Sequence, residues 1–260
     1  MKLIFFFLLY SLLANAQSID AKKINQYTLN ADKFWGVDTY QNIYYSKNNI
    51  FFKQNPELKT TQQQFKDFSL GTLSSVDIIN PLNILLFYKN SNTVILLDNR
   101  LNKLAEYSLN NISPLRTISH AKLAGNRHLW LFNVDTQRLE VFDLSKDQAT
   151  SRSLPISKKL IQLETNFKKA WLVLPDTIKV YDWYANQIKT ITRSFKKIKT
   201  DNAQILALTK DEKYFYSRKG DDFIKVTNIK VPGNSFYFTD QKLYIYAQQK
   251  LTIYQIVLKF

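Results

Sequence analysis

Short apolar runs recur along this chain at a nearly constant step. One marker from the second run of each group gives Ile43, Leu85, Leu129, Trp171 and Phe215, spaced by 42, 44, 42 and 44 residues. A repeat of about 40 to 50 residues is the length of one four-stranded propeller blade. The clearest copy spans residues 74–109, where runs at 76–79, 84–88, 94–98 and 104–109 are split by Asn-Pro, Lys-Asn-Ser-Asn and Asp-Asn-Arg-Leu. Asn, Asp, Ser and Pro make turns because they offer the backbone local hydrogen bonds or a preset φ. The runs are rich in Val, Ile, Tyr and Phe, and no stretch carries a long i, i+3, i+4 apolar stripe, so strands are expected and helices are not.

The rhythm predicts an all-β fold, a six-bladed β-propeller. Ahead of the clearest copy lie runs at 34–38, 42–45 and 50–53 and a polar strand near 61–68. After it come groups at 118–123, 128–132, 139–143 and 150–154, then at 160–164, 170–173, 178–182 and 187–192. A fifth group is read at 204–208, 214–216, 223–226 and 229–231. The last group, 235–238, 242–246 and 251–257, is one strand short. Residues 24–29 alternate apolar and polar, so this N-terminal strand is expected to join the last blade and close the ring. Closure removes the two exposed edges of an open array. A pair of packed sheets is the alternative architecture. With only five glycines in the chain, the turns fall to Asn, Asp and Lys, as at Asn48-Asn49, Asn90-Ser91-Asn92 and Asp221-Asp222.

The N-terminus reads as a secretory leader. Lys2 is followed by an apolar run of 11 residues from Leu3 to Leu13 and by Ala14-Asn15-Ala16, a small-x-small cleavage site. That run is short of the roughly 20 residues needed to cross a bilayer. The expected organisation is therefore a signal peptide over 1–16 and one propeller domain over 17–260, with no transmembrane segment after cleavage. There is no cysteine, which removes disulfides and a lipidated-cysteine anchor from consideration. The expected location is the periplasm, peripheral to the outer membrane. The formal net charge is +15. For an exported chain the matching anions are envelope surfaces or acidic proteins rather than nucleic acid, and lysines on strand edges also discourage pairing with strangers.

Few residues suit catalysis. The two histidines, His120 and His128, show no zinc-ligand spacing. No nucleophile-elbow, P-loop or dinucleotide fingerprint occurs, so no catalytic residue, metal or cofactor is assigned. Asp38, Asp77, His120 and Glu164 fall in or beside the first strands of successive blades, the strands that line a propeller channel. Converging carboxylates there suit Ca²⁺ or general-base hydrolysis; the competing reading is polar groups that face water or cap turns. Asp98, Asp143 and Asp182 close the third strands and read as turn caps. Lys189, Arg193, Lys196, Lys197 and Lys199 form a basic stretch with no acid before Asp201. It is placed on the outer strand of the fourth blade and the connection beyond, as a contact patch for an acidic partner or an anionic envelope surface. Trp183, with Trp35 and Tyr184, lies beside turns as a candidate interface anchor, whereas Trp130 and Trp171 sit mid-strand as core.

Val76-Asp-Ile-Ile-Asn-Pro-Leu-Asn-Ile-Leu-Leu-Phe-Tyr-Lys89, followed by Thr93-Val-Ile-Leu-Leu-Asp-Asn-Arg-Leu101, resembles a segment of uncharacterised exported β-propeller proteins of Bacteroidota. The close resemblance covers one blade. It implies a periplasmic propeller and supplies no catalytic residues. Envelope propellers resemble assembly scaffolds for outer-membrane proteins or secretion machines, an analogy of fold. The functional expectation is a non-enzymatic interaction scaffold or accessory subunit of a cell-envelope complex. A Ca-dependent lactonase-like hydrolase using the channel carboxylates, and a module binding anionic glycan or lipopolysaccharide, are the alternatives.

Overall fold

The computed structural model describes residues 18–55, 62–125, 127–229 and 235–259. The leader read at 1–16 lies outside them. The first strand, β1 (Ser18–Thr28), precedes a meander of β2 (Lys33–Val37), β3 (Ile43–Lys47), β4 (Ile50–Gln54) and β5 (Gln63–Phe65). The next meander is β6 (Ser75–Asp77), β7 (Ile84–Tyr88), β8 (Thr93–Leu97) and β9 (Lys103–Ser108), followed by one 3₁₀ turn, Leu109–Asn111. Then come β10 (Ile118–Leu123), β11 (His128–Asn133), β12 (Arg138–Asp143) and β13 (Gln148–Arg152). After these follow β14 (Gln162–Thr165), β15 (Ala170–Val173), β16 (Ile178–Tyr181) and β17 (Gln187–Ile191). The remainder is β18 (Lys197–Asp201), β19 (Gln204–Leu208), β20 (Tyr214–Ser217), β21 (Ile224–Thr227), β22 (Ser235–Thr239), β23 (Lys242–Ala247) and β24 (Lys250–Lys259).

The expectation of six separate blades is corrected by the sheet order. Four sheets of four strands are present, β2–β5, β6–β9, β10–β13 and β14–β17, and the remaining strands form one eight-stranded sheet. Its order is β18-β19-β20-β21-β1-β24-β23-β22. The two meanders fuse because β1 is paired on both sides. It runs antiparallel to β24, from Ser18 opposite Lys259 to Thr28 opposite Lys250, and parallel to β21 through Ile19 opposite Val226 and Asp20 opposite Thr227. Thr227 Oγ1 donates to the Ile19 carbonyl at 3.1 Å and Asn228 Nδ2 donates to Asp20 at 2.6 Å, latching the seam. The joining strand starts earlier than its alternation suggests. Ile19 and Ala21 are the buried side chains, while Ile24 sits at a bulge and is exposed.

The fifth group is shifted by one strand. Its first strand is β18, read in the sequence as a charged connection, and Phe215 lies on the third strand rather than the second. Ile229 is outside any strand, and 230–231 lie outside the described residues.

The core is a succession of layers between neighbouring sheets. Tyr44 and Phe51 pack on Ile84 and Leu86, Leu85 and Phe87 on Leu129 and Leu131, and Trp130 and Val141 on Leu163 and Leu172. Trp171 and Val173 pack on Ile198 and Ile205, and Leu206 and Tyr216 on Phe236 and Leu243. Tyr244 and Leu251 then return to Phe34 and Ile43, so the layers close on themselves. The second and third strands of the β6–β9 meander are buried on both faces and read as continuous apolar runs, whereas fourth strands such as Gln148–Arg152 alternate and are half exposed. The left-handed turn positions fall to Asn and Asp as expected, but to Gln rather than Lys, and not to Asp221 or Asp222. Asn48 and Asn49 have φ of 50° and 61°, and Gln248 and Gln249 have 50° and 58°. Positive φ at both central residues is the two-residue turn whose twist matches a hairpin.

Candidate functional site

The first strand of each meander lies toward the common axis, and polar groups stitch neighbouring first strands together. Lys33 Nζ donates to the Ser74 carbonyl at 3.2 Å, and Lys122 Nζ to the Val76 carbonyl at 3.1 Å. Asp77 accepts from the Leu123 amide at 2.9 Å. The Gln162 side chain both accepts from and donates to the Ile198 backbone at 2.9 Å, completing a peptide-like pair across β14 and β18. Asp201 accepts from the Asp240 amide at 2.7 Å, and Ser235 Oγ donates to the Phe34 carbonyl at 3.2 Å. These pairs tie neighbouring first strands together around the axis, while the buried hydroxyls of Ser75, Thr165 and Thr200 there meet no hydrogen-bond partner among the described residues.

Inside this ring is a cavity of about 360 Å³, lined by residues of β2, β6, β10, β14, β18 and β22. Its charged lining is Lys33, Lys122, Lys197, Lys199 and Glu164, with His120 beside them. A smaller space of about 30 Å³ continues along the axis between Asp77, Glu164, Lys199 and Tyr237. Glu164 is held by Lys199, whose Nζ is 3.1 Å from both carboxylate oxygens, and by Gln162 Nε2 at 3.1 Å. The Lys33 ammonium sits 3.8 Å from the Trp35 ring centroid, and Trp35 donates to Ser46 Oγ at 2.8 Å. Burial lowers the pKa of Lys33 and Lys199. It lowers Lys197 to about 7, with the Lys199 charge acting in the same direction. His120, with Ser119 Oγ 2.9 Å from its Nδ1, is lowered to about 4 by burial and by Lys89, so its ring is neutral near pH 7. Burial raises the Tyr237 hydroxyl well above its ordinary value, leaving it protonated.

The sequence-derived residues divide among different environments. Lys197 and Lys199 do not lie on an outer contact patch: they alternate on β18 and point with one face into the cavity, while Ile198 between them is buried on the other. Lys189 alone of the five is on an outer strand, β17, where it pairs with Asp221. Arg193 is embedded against the Phe195, Phe215 and Phe223 rings and donates to the Phe223 carbonyl at 3.3 Å. Lys196 is exposed on the connection into β18, its amide donating to the Leu208 carbonyl at 2.7 Å. Trp183 packs edge-on against Trp130 and His128, with centroids 6.1 and 5.2 Å away, bridging two sheets rather than standing free.

Of the four channel candidates, His120, Asp77 and Glu164 reach the axial cavities and Asp38 does not. Asp38 caps the β2–β3 turn: Oδ1 accepts from the amides of Tyr40 and Asn42, both at 2.9 Å, and Oδ2 from Asn42 Nδ2 and the Tyr44 hydroxyl. Asp98 and Asp182 make the same turn with Asn102 and Asn186, each accepting from the amides two and four residues on. The residue before each Asn, Gln41, Leu101 or Ala185, has φ of 65°, 65° or 59°. The shared Asp-x-x-x-Asn spacing is the signal that would have placed Asp38 among the caps. Among the described residues no three His, Asp or Glu side chains come together as a cation site, and none of the helices is long and apolar enough to cross a membrane.

No protein-family model matches the chain, and no curated protein matches it in sequence. Solved structures do match in shape. The WD40 domain of Neurospora crassa Pan2 aligns with a TM-score of 0.59 at 9% identity, over 86% of this chain and 74% of that one. The chain is a β-propeller. A second match is PorZ, described as an essential bacterial surface component of the type-IX secretion system of Porphyromonas gingivalis. It aligns with a TM-score of 0.51 at 14% identity, over 85% of this chain and 32% of the PorZ chain. At these identities the likeness is one of fold. The axis of this propeller carries an excess of ammonium groups, suited to holding negative charge by Coulomb attraction and hydrogen bonds.

Proposed function

We propose that the protein is a non-enzymatic interaction scaffold of the bacterial cell envelope. In this reading it is an exported, periplasmic propeller serving as an accessory subunit of a complex for outer-membrane protein assembly or secretion. The observation that carries it is the placement of three apolar side chains. Phe68, Leu115 and Leu154 are 62%, 78% and 83% exposed, and each lies on a connection from the last strand of one meander to the first strand of the next. Because strands alternate in direction within each meander, all such connections emerge on one face, the face where the first strands begin. Exposed apolar residues scattered singly mean little, and turns of the opposite face also expose Tyr40, Leu82 and Tyr184; what suits a partner surface on this rim is one such residue on each of three successive connections. The leader-like residues 1–16, the resemblance to exported Bacteroidota propellers and the fold shared with a bacterial surface component support the envelope setting. The hydrolase reading finds less support, since Asp38 is occupied by four donors and Glu164 by Lys199.

A photo-crosslinking amino acid at Leu115 or Leu154 in the chromosomal gene tests this. The expected result is one adduct, shared by both positions, with an envelope protein identified by mass spectrometry. Tyr184, on a turn of the opposite face, should give none. Residence of the protein in the cytoplasm, or the same adduct yield from Tyr184, would overturn the reading.

A further inference from the structure

Four lysines approach one cavity and a single carboxylate answers them. Three of the four ammonium groups have a partner: Lys33 the Ser74 carbonyl, Lys122 the Val76 carbonyl, Lys199 the Glu164 carboxylate. Lys197 has none of these. Among the described residues its Nζ meets only the face of Phe236, 5.1 Å from the ring centroid. Lys197 is half-buried, and the Glu164 carboxylate acts on it only from beyond ion-pair distance; a cation so placed with no acceptor of its own is costly, and such groups are normally paired. Strand alternation makes the placement unavoidable for this sequence: Ile198 fills the layer against β15 and β19, so Lys197 and Lys199 must face the axis.

We propose that the cavity binds a small oxyanion, a phosphate or carboxylate group carried on a compact organic body, with the Lys197 ammonium as its main contact. The volume is at the lower end of the range for small-molecule sites, about 300 to 1,000 Å³, and suits a ligand of one or two rings. The lining divides accordingly. Lys197, Lys122 and Lys33 supply charge from three strands, and Trp35, Val76 and Leu163 supply apolar wall. The cavity lies toward the strand-start ends Lys33, Gln162, Lys197 and Ser235, so it opens on the rim face and a ligand can enter from solvent. Burial and the Lys199 charge lower the affinity of Lys197 for its proton, and an anion bound beside it would raise that affinity. This site stands apart from the scaffold reading and survives its failure.

The groups facing Lys197 set its pH behaviour. They are Lys199 on its own strand, Glu164 on β14, Lys122 and His120 on β10, Lys33 on β2 and Tyr237 on β22. His120 stays neutral near pH 7 and Tyr237 stays protonated, so Lys197 is the group that gains charge as pH falls through about 7.

The test is calorimetric titration of the purified full-length mature chain with sulfate, glucose 6-phosphate, citrate, and vesicles of phosphatidylglycerol in phosphatidylcholine. Sulfate keeps its charge across the range, so its binding should tighten from about pH 8.5 to about pH 6 through protein groups alone. Lys197→Met keeps the stem and removes the charge; it should weaken binding at least tenfold, about 1.4 kcal/mol, while Lys189→Met binds like the wild type. Thermal melting of Lys197→Met without ligand, expected at or above the wild-type midpoint, separates lost binding from lost fold. Glucose 6-phosphate or citrate binding displaced by sulfate identifies a free metabolite. Binding of the vesicles alone, still lost in Lys197→Met, identifies a lipid headgroup. Absence of binding by every probe, or binding indifferent to Lys197→Met, overturns the proposal.

Discussion

Replacing Ile19 by alanine tests the seam that joins the two ends of the chain. Ile19 is 2% exposed and sits where β1 is paired on both sides, opposite Leu258 of β24 and opposite Val226 of β21. Its side chain belongs to the layer of Leu206, Tyr216, Val226, Phe236 and Ile256. Removing three carbons from a fully buried site forfeits about 2 to 3 kcal/mol of transfer free energy, at about 0.8 kcal/mol per methylene. The unfilled space adds to this, placing Ile19→Ala at about 3 to 4 kcal/mol. Ile24 on the same strand supplies the control. It is 49% exposed and lies at the bulge between Lys23 and Asn25, so Ile24→Ala should cost about 0.5 kcal/mol or less.

Urea unfolding of both variants, followed by tryptophan fluorescence, gives the difference directly, since equal slopes permit comparison of midpoints. A terminal strand can also peel away locally, and then the loss is limited to the docking free energy of β1. Hydrogen exchange distinguishes the two cases. In Ile19→Ala the amides of Ile224–Thr227 and Lys250–Lys259 should exchange faster together, because both edges depend on β1. If Ile19→Ala and Ile24→Ala fall within about 0.5 kcal/mol of each other, and exchange on both edges is unchanged, the argument that this seam closes the fold is refuted.

At Gly36 a methyl group would lie 2.5 Å from two ring carbons of Tyr237 and 2.8 Å from Ile78 Cδ1; Gly36→Ala should cost about 1 to 3 kcal/mol in urea unfolding through overpacking at the axis, and a neutral outcome would show that the Tyr237 ring is free to move. Arg116 and Glu140 form a buried ion pair at 3.3 Å, and Glu140 retains Asn133 at 3.1 Å and Arg152 at 3.6 Å. Arg116→Met should therefore cost about 3 kcal/mol, and Arg116→Met with Glu140→Leu should recover at least half of it; equal loss in single and double variants would contradict the account. The pKa of Lys197 is lowered from 10.5 to about 7 on folding, so the unfolded chain binds more protons between those values and this group's penalty is full below about pH 7. The melting advantage of Lys197→Met over wild type should be largest near pH 6.5 or below and shrink toward about pH 10; an advantage that grows with pH would reverse the assignment.

What could be read from the sequence follows from which strands carry an apolar signature. Runs such as Ile84–Tyr88 and Val94–Leu97 are buried on both faces, so their continuous apolar character survives in any topology and the propeller rhythm is legible in them. First strands are different. β18 is Lys-Ile-Lys-Thr-Asp, with only Ile198 wholly buried in a packing layer. Its lysines face the axial cavity, yet in sequence the pattern matches an exposed charge run, and taking it as one displaced the whole fifth group by a strand. Alternation about Ile198 is the clue that favours a strand with inward lysines. The closing strand misleads in the opposite sense. Residues 24–29 alternate well, yet the bulge turns Ile24 outward, and the seam depends on Ile19 and Ala21, close behind the leader-like run. The parallel pairing of β1 with β21 rests on side-chain contacts of Asp20 with Thr227 and Asn228 across 207 and 208 residues. No local pattern encodes a contact of that span, so the fusion into one eight-stranded sheet emerges only once the chain has closed. The axial site is hidden for the same reason: its lysines are contributed by three strands far apart in sequence, and their convergence is a property of the ring.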